Sequence, residues 1–167
     1  LRNLGRNYRR DERCLRQVSR AGESIVKFAT LKEDMKAIVY TKYGPPDVIQ
    51  LKDVEKPAPK DDEILIKIHA ASVNAYDWHF LTADIFLIRL MGGGLFRPKY
   101  TRLGADIAGR VEAVGKNVKQ FQPGDEVFGM VKGGFAEYTC APENAVALKP
   151  SNLSFEEAAA VPMAGVT

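Results

Sequence analysis

The chain has 167 residues, 46% of them hydrophobic, and carries 24 Lys or Arg against 21 Asp or Glu. That is enough to bury one core, and no apolar run is long enough for a membrane-spanning helix. The net charge of +3 is concentrated upstream: residues 1–34 hold nine basic and five acidic side chains, and the remainder is nearly neutral, so no basic face for nucleic acid is expected.

Residues 1–34 are expected to form a weakly helical or disordered N-terminal extension, and whether it is native is open. Leu15, Val18 and Ile25 are too sparse for a continuous apolar face, and no apolar core of a signal peptide is present. Met35 to Tyr40 reads as a strand beginning directly after a start-like methionine. Lys42-Tyr-Gly-Pro-Pro46 is a turn, and Val48 to Val54 resumes as a strand. Lys56-Pro-Ala-Pro59 with Asp61 and Asp62 makes an extended connector. Glu63 to Ala70 alternates, with Ile64, Ile66 and Ile68 on one face and Leu65, Lys67 and His69 on the other.

Asn74 to Leu81 reads as a helical turn with Trp78 and Leu81 directed to the core. Ile85 to Met91 suits a short helix, broken by Gly92-Gly-Gly94, and its apolar content suggests an insertion loop that packs over something. Strands follow at 105–114, 126–131, 135–141 and 145–148. This pattern is mainly β with short helices, and it favours a barrel or sandwich over a doubly wound sheet. Within 105–114, Ile107, Gly109, Val111 and Ala113 share one face. Gly109 marks either a sharp strand bend or a close approach by another backbone or a ligand.

Gly92-Gly-Gly94 is not a dinucleotide fingerprint, because no third glycine follows at the required spacing and no helix opens there. Cys14 and Cys140 lack paired spacing, which argues against a disulfide framework and for a reducing compartment. His69, His79 and Cys140 match no zinc spacing either.

Four segments then carry a resemblance: Val73-Asn-Ala-Tyr-Asp77, Gly104-Ala-Asp-Ile-Ala-Gly109, Pro123-Gly-Asp125 and Gly134-Phe-Ala-Glu-Tyr138. Together they resemble the N-terminal GroES-like domain of the medium-chain dehydrogenase/reductase superfamily, in its zinc-free quinone-oxidoreductase branch. The resemblance implies a GroES-like twisted partial β-barrel over 35–154, a truncated start of the interdomain helix over 155–167, and a Rossmann domain absent from this chain. An exposed apolar surface is expected where that absent half would pack.

Zinc-dependent relatives place metal ligands where this chain has Asn74, Ala105-Asp106 and a position near Met163, so the resemblance implies no metal. It further implies NADPH, held mainly by the missing domain, reducing a quinone, enone or related carbonyl in a cytoplasmic enzyme that is a homodimer at full length. The fragment alone is expected to be inactive. Asn74 is a candidate for the nicotinamide end of the cofactor or a helix-capping turn residue. Tyr76 either donates a proton or hydrogen bond into the cleft or serves aromatic packing. His79 stands at a proton-relay position near the cofactor ribose, or is a partly exposed helix histidine. Asp77 and Asp106 are expected to organise neighbouring groups rather than titrate in catalysis, and Thr167 stands where family members contact the cofactor. The alternative function is a free-standing GroES-like barrel that binds or assembles without catalysis.

Overall fold

The computed structural model describes residues 33–90 and 94–166. The extension expected over 1–34, apart from its last two residues, lies outside the described residues, as do Gly92, Gly93 and Thr167. Strand β1 (Asp34–Val39) pairs antiparallel with β2 (Gln50–Glu55). Alternation along β1 buries Met35, Ala37 and Val39 and leaves Lys36 outside, bonded to Asp53 across the pair at 2.7 Å. The expected strand at Val48 starts two residues later, because Pro46–Val48 closes a 3-10 turn with proline at its first position, where no N–H is left unpaired.

The second sheet has five antiparallel strands in the order β6-β3-β4-β5-β7 and does not close on itself. These are β3 (Glu63–Ser72), β4 (Asp106–Val114), β5 (Glu126–Met130), β6 (Tyr138–Pro142) and β7 (Val146–Leu148). Backbone bonds from Ile38 N to the Phe135 carbonyl and from Tyr40 N to the Thr101 carbonyl tie β1 to the loops of this sheet. The core is aliphatic: Ile64, Ile66, Ile107, Val111 and Val127 are essentially inaccessible, and Phe121 and Val131 close its edge. Each such side chain contributes about 1.5–3 kcal/mol by leaving water.

Strand β3 does not alternate as evenly as its sequence. Its register against β4 shifts between Leu65 and Ile66 and again between Ile68 and Ala70, so His69 is an extra residue opposite the Gly109–Ala108 step. Gly109 sits at this irregularity, and a Cβ there would run into the Lys67 carbonyl and the Ile66 side chain. The close approach of another backbone is therefore the reason for this glycine.

On the other face of β4, Ala108 packs against Ala158 and Ala159 of helix α2 (Phe155–Ala159). Small side chains on both elements let the helix sit close, and this buries the start of β4 on both faces, from Asp106 to Gly109. The helix begins with a capping box: Ser154 Oγ accepts the Glu157 amide at 3.2 Å, and Glu157 Oε2 accepts the Ser154 amide at 2.8 Å. Helix α3 (Pro162–Val166) follows, with proline at its first position.

Helix α1 (Ala75–Thr82) is the expected helical turn after β3, ended by Ala83 in a left-handed conformation. Leu81 is buried with Tyr40 and Leu103, but Trp78 is 49% exposed, contrary to the expectation that both face the core. The helix has only two turns, and Leu81, helped by Phe80, already fills its contact with the lobe. The apolar run after it forms a single helical turn at Phe86–Ile88. Ile85, Phe86, Leu87 and Leu90 stay exposed rather than packing over the domain. Among the described residues no helix is long and apolar enough to cross a membrane.

Candidate functional site

The ends of three adjacent strands meet at one place, where Ser72 of β3 pairs with Asp106 of β4, which in turn pairs with Met130 of β5. Asp106 is wholly buried. Its Oδ2 accepts the Met163 backbone amide at 2.9 Å and the Asn74 side-chain amide at 3.2 Å, with Ser72 Oγ at 3.5 Å. Its Oδ1 is buried and has no hydrogen-bond partner among the described residues. This one carboxylate thus gathers the end of β3, the cap of α1 and the first turn of α3.

The same geometry settles the orientation of the Asn74 amide. Carboxylate Oδ2 can only accept from the neutral amide, so Nδ2 must face it, and Nδ2 also donates to Ser72 Oγ at 3.2 Å. With both amide protons directed to Ser72 and Asp106, Oδ1 is the acceptor left to the first turn of α1, where Asn74 and Asp77 form a capping box. Asn74 is therefore a capping residue of α1. It precedes α1 in extended conformation, and its backbone amide is bonded to Asp77 Oδ2 at 2.9 Å.

Asp77 is buried and serves two segments. Its Oδ2 takes the Asn74 amide, and its Oδ1 takes the Gly104 backbone amide at 2.9 Å. Gly104 has φ +96 and faces the Phe135 backbone so closely that a Cβ would collide with it. Asp77 thus organises backbone, as expected from its sequence context.

A pocket of about 240 Å³ adjoins this cluster. Tyr40, Tyr76, Phe80 and Tyr100 line it with Arg102 and Lys132, and Gly104 and Val131 complete its inner wall. Gly104 lies two residues before Asp106, and Val131 directly follows Met130, so the pocket lies next to the ends of β4 and β5 that carry these residues. Tyr76 packs on Phe80 at a tilt of 34°, with ring centroids 4.3 Å apart, and is 41% exposed, so the hydroxyl-bearing ring takes part in packing and still reaches the pocket. Burial, with the nearby Asp77 charge, pushes the Tyr76 phenol up, which keeps it a neutral donor.

His79 lies one turn from Tyr76 on α1 and is not part of the pocket wall. Its Nδ1 lies 3.0 Å from Asp84 Oδ1, and this hydrogen bond is the main cause that lowers the Asp84 carboxyl. His69 is elsewhere, stacked on Phe155 at 4.4 Å, and the Cys140 thiol is pushed up to about 11 by burial. Among the described residues no three His, Cys, Asp or Glu side chains form a group able to hold a metal. Of the residues singled out in the sequence, the structure brings Asn74, Asp106 and Met163 together, and sets Tyr76 in the adjoining pocket. Ser72, Tyr40, Tyr100, Arg102 and Lys132 escaped the sequence reading. The only signal for them was the aromatic and basic Lys99-Tyr-Thr-Arg102 run before the Leu103 turn.

Residues 60–151 match the alcohol dehydrogenase GroES-like domain. The chain belongs to this family. Within the medium-chain dehydrogenase/reductase superfamily it is an N-terminal domain of the quinone-oxidoreductase type. It is 43% identical over 150 residues to the 2-methylene-furan-3-one reductase of Solanum lycopersicum, covering 81% of this chain and 36% of the relative. It is 35% identical over 164 residues to the chloroplastic NADPH-dependent alkenal/one oxidoreductase of Arabidopsis thaliana, covering 89% of this chain and 39% of the relative. The quinone oxidoreductase of Coxiella burnetii superposes with a TM-score of 0.72 at 34% identity, covering 81% of this chain and 43% of that one. The chain therefore spans about two-fifths of the proteins it matches.

Proposed function

We propose that this chain is the catalytic lobe of a longer, zinc-independent NADPH-linked oxidoreductase that reduces quinones or conjugated carbonyls. The observation that carries the reading is the aromatic pocket lined by Tyr76, on the helix whose cap, Asn74, is held by buried Asp106. The activities named for the relatives support the same chemistry. Where zinc-dependent relatives hold metal, this chain brings together an amide, a thioether residue and a carboxylate already engaged by three donors. That donor set does not suit zinc, which takes thiolate, imidazole or free carboxylate in tetrahedral array.

NADPH, when bound, supplies the hydride, and its carboxamide is a donor suited to Asn74 Oδ1. The residues of the chain then orient and protonate. A substrate ring lies among Tyr40, Tyr76 and Phe80, and its carbonyl accepts a hydrogen bond from the neutral Tyr76 hydroxyl, which stabilises the charge that develops on oxygen. His79, hydrogen-bonded to Asp84, exchanges a proton with solvent at the cofactor side. Thr167, outside the described residues, is retained as a cofactor contact of the same lobe.

Asn74→Ala in the protein that carries this lobe tests the reading. The bond to the cofactor, about 1–1.5 kcal/mol, is lost, so kcat/KM for NADPH should fall about tenfold, and the thermal midpoint should drop as well because Asp106 and Ser72 lose a donor. Unchanged kinetics would remove Asn74 from the site.

A further inference from the structure

The pocket beside Asn74 has a charge character that the reductase reading does not require. Four rings, Tyr40, Tyr76, Phe80 and Tyr100, share its wall with Arg102 and Lys132, and no acidic residue lines it. Neither cation is bridged to a carboxylate among the described residues. Lys132 Nζ stands 5.1 Å from the centroid of the Tyr100 ring, and Lys99 Nζ lies 5.9 Å from the same ring, so positive charge is gathered on this side of the pocket. The Arg102 stem runs along Gly133, whose φ of +77 and missing Cβ make room for it; a Cβ there would come within 3.2 Å of Nε. Arg102 is only partly exposed, and so its guanidinium, five donors in a fixed plane, is held at the wall instead of ranging through solvent.

We propose that this pocket binds a planar conjugated ring bearing an anionic group, a carboxylate or an enolate, with the ring among the tyrosines and the anion on Arg102 and Lys132. The inference rests on the reductase reading for its place in the reaction and predicts that acidic conjugated carbonyls bind better than neutral ones. The volume of about 240 Å³ lies just below that of typical small-ligand clefts, roughly 300–1,000 Å³, which limits the occupant to one or two fused rings. Aromatic walls select planarity, and two cations with no carboxylate bridged to them among the described residues favour an anionic occupant over a neutral one.

Binding to the chain itself, without cofactor or turnover, separates this proposal from the reductase reading. Calorimetric titration with 2-naphthoate and its neutral isostere 2-naphthamide should show at least a tenfold preference for the acid, about 1.4 kcal/mol. Added salt should weaken the acid and leave the amide unchanged. Arg102→Gln and Lys132→Gln should each reduce the preference severalfold, and Arg102→Lys should keep most of it. Lys132 is exposed, so its variant reads the charge even if Arg102→Gln impairs folding. Equal affinity for the two probes, no binding of either, or a preference that survives Lys132→Gln and Arg102→Gln would overturn the proposal. In the longer protein that carries this lobe, no NADPH turnover with intact naphthoate binding would count against the reductase reading alone.

Discussion

Removing the Asp77 carboxylate should cost this domain more than almost any other single polar change. The side chain is 3% exposed and accepts two backbone amides, Asn74 N and Gly104 N, both at 2.9 Å. Hydrogen bonds to a charged acceptor contribute about 1.5–3 kcal/mol each, so Asp77→Ala should lose about 3–6 kcal/mol from a domain total of roughly 5–15 kcal/mol. Asp77→Asn keeps one carbonyl acceptor but turns an N–H toward the other donor, and should lose about half as much. With a urea slope near 2 kcal/mol per molar, the alanine variant should unfold about 2 M earlier. Circular dichroism follows the transition globally, and fluorescence of Trp78, the sole tryptophan, follows it at the next residue of α1. A midpoint that moves by less than about 0.3 M would refute the claim that Asp77 pins α1 to the Gly104 segment.

Gly109→Ala should destabilise by about 1–3 kcal/mol, because the new methyl meets the Lys67 carbonyl and two strands must part; an unchanged thermal midpoint would contradict the close approach. Alkaline stability should also fall. Burial raises Tyr40 from 10.0 to about 12 and Cys140 from 9.0 to about 11, and both groups are neutral while protonated, so the unfolded chain ionises first. Their stabilisation is complete below about pH 9 and is lost as pH rises through the window up to about 12. Urea midpoints measured at pH 8.5 and 10.5 should decline, and less so in Cys140→Ala; identical slopes in the two proteins would show that the thiol is not perturbed.

Much of the lobe was legible in the chain. Alternation marked Glu63 to Ala70, and proline and glycine marked the turns, because short-range chemistry decides both. The burial of Asp106 on a doubly covered strand was not legible from alternation, since it depends on Ala158 and Ala159 closing from some fifty residues away. Trp78 was misjudged for a related reason: a two-turn helix needs few core contacts, and Leu81 already supplies them. At the site, the residue types at Asn74, Asp106 and Met163 could be read singly as unfit for zinc. That the three share one oxygen, Asp106 Oδ2 or its immediate neighbourhood, is a product of strand register and of the start of α3. The pocket was harder still, because Tyr40, Tyr76, Tyr100 and Lys132 come from four separate segments with no common period.

The account stands most directly on turnover without a metal. In the protein that carries this lobe, NADPH oxidation coupled to 2-methyl-1,4-naphthoquinone should persist at full rate after dialysis against a strong zinc chelator, with no stoichiometric zinc found by elemental analysis. Activity that disappears on chelation and returns with added zinc would contradict it.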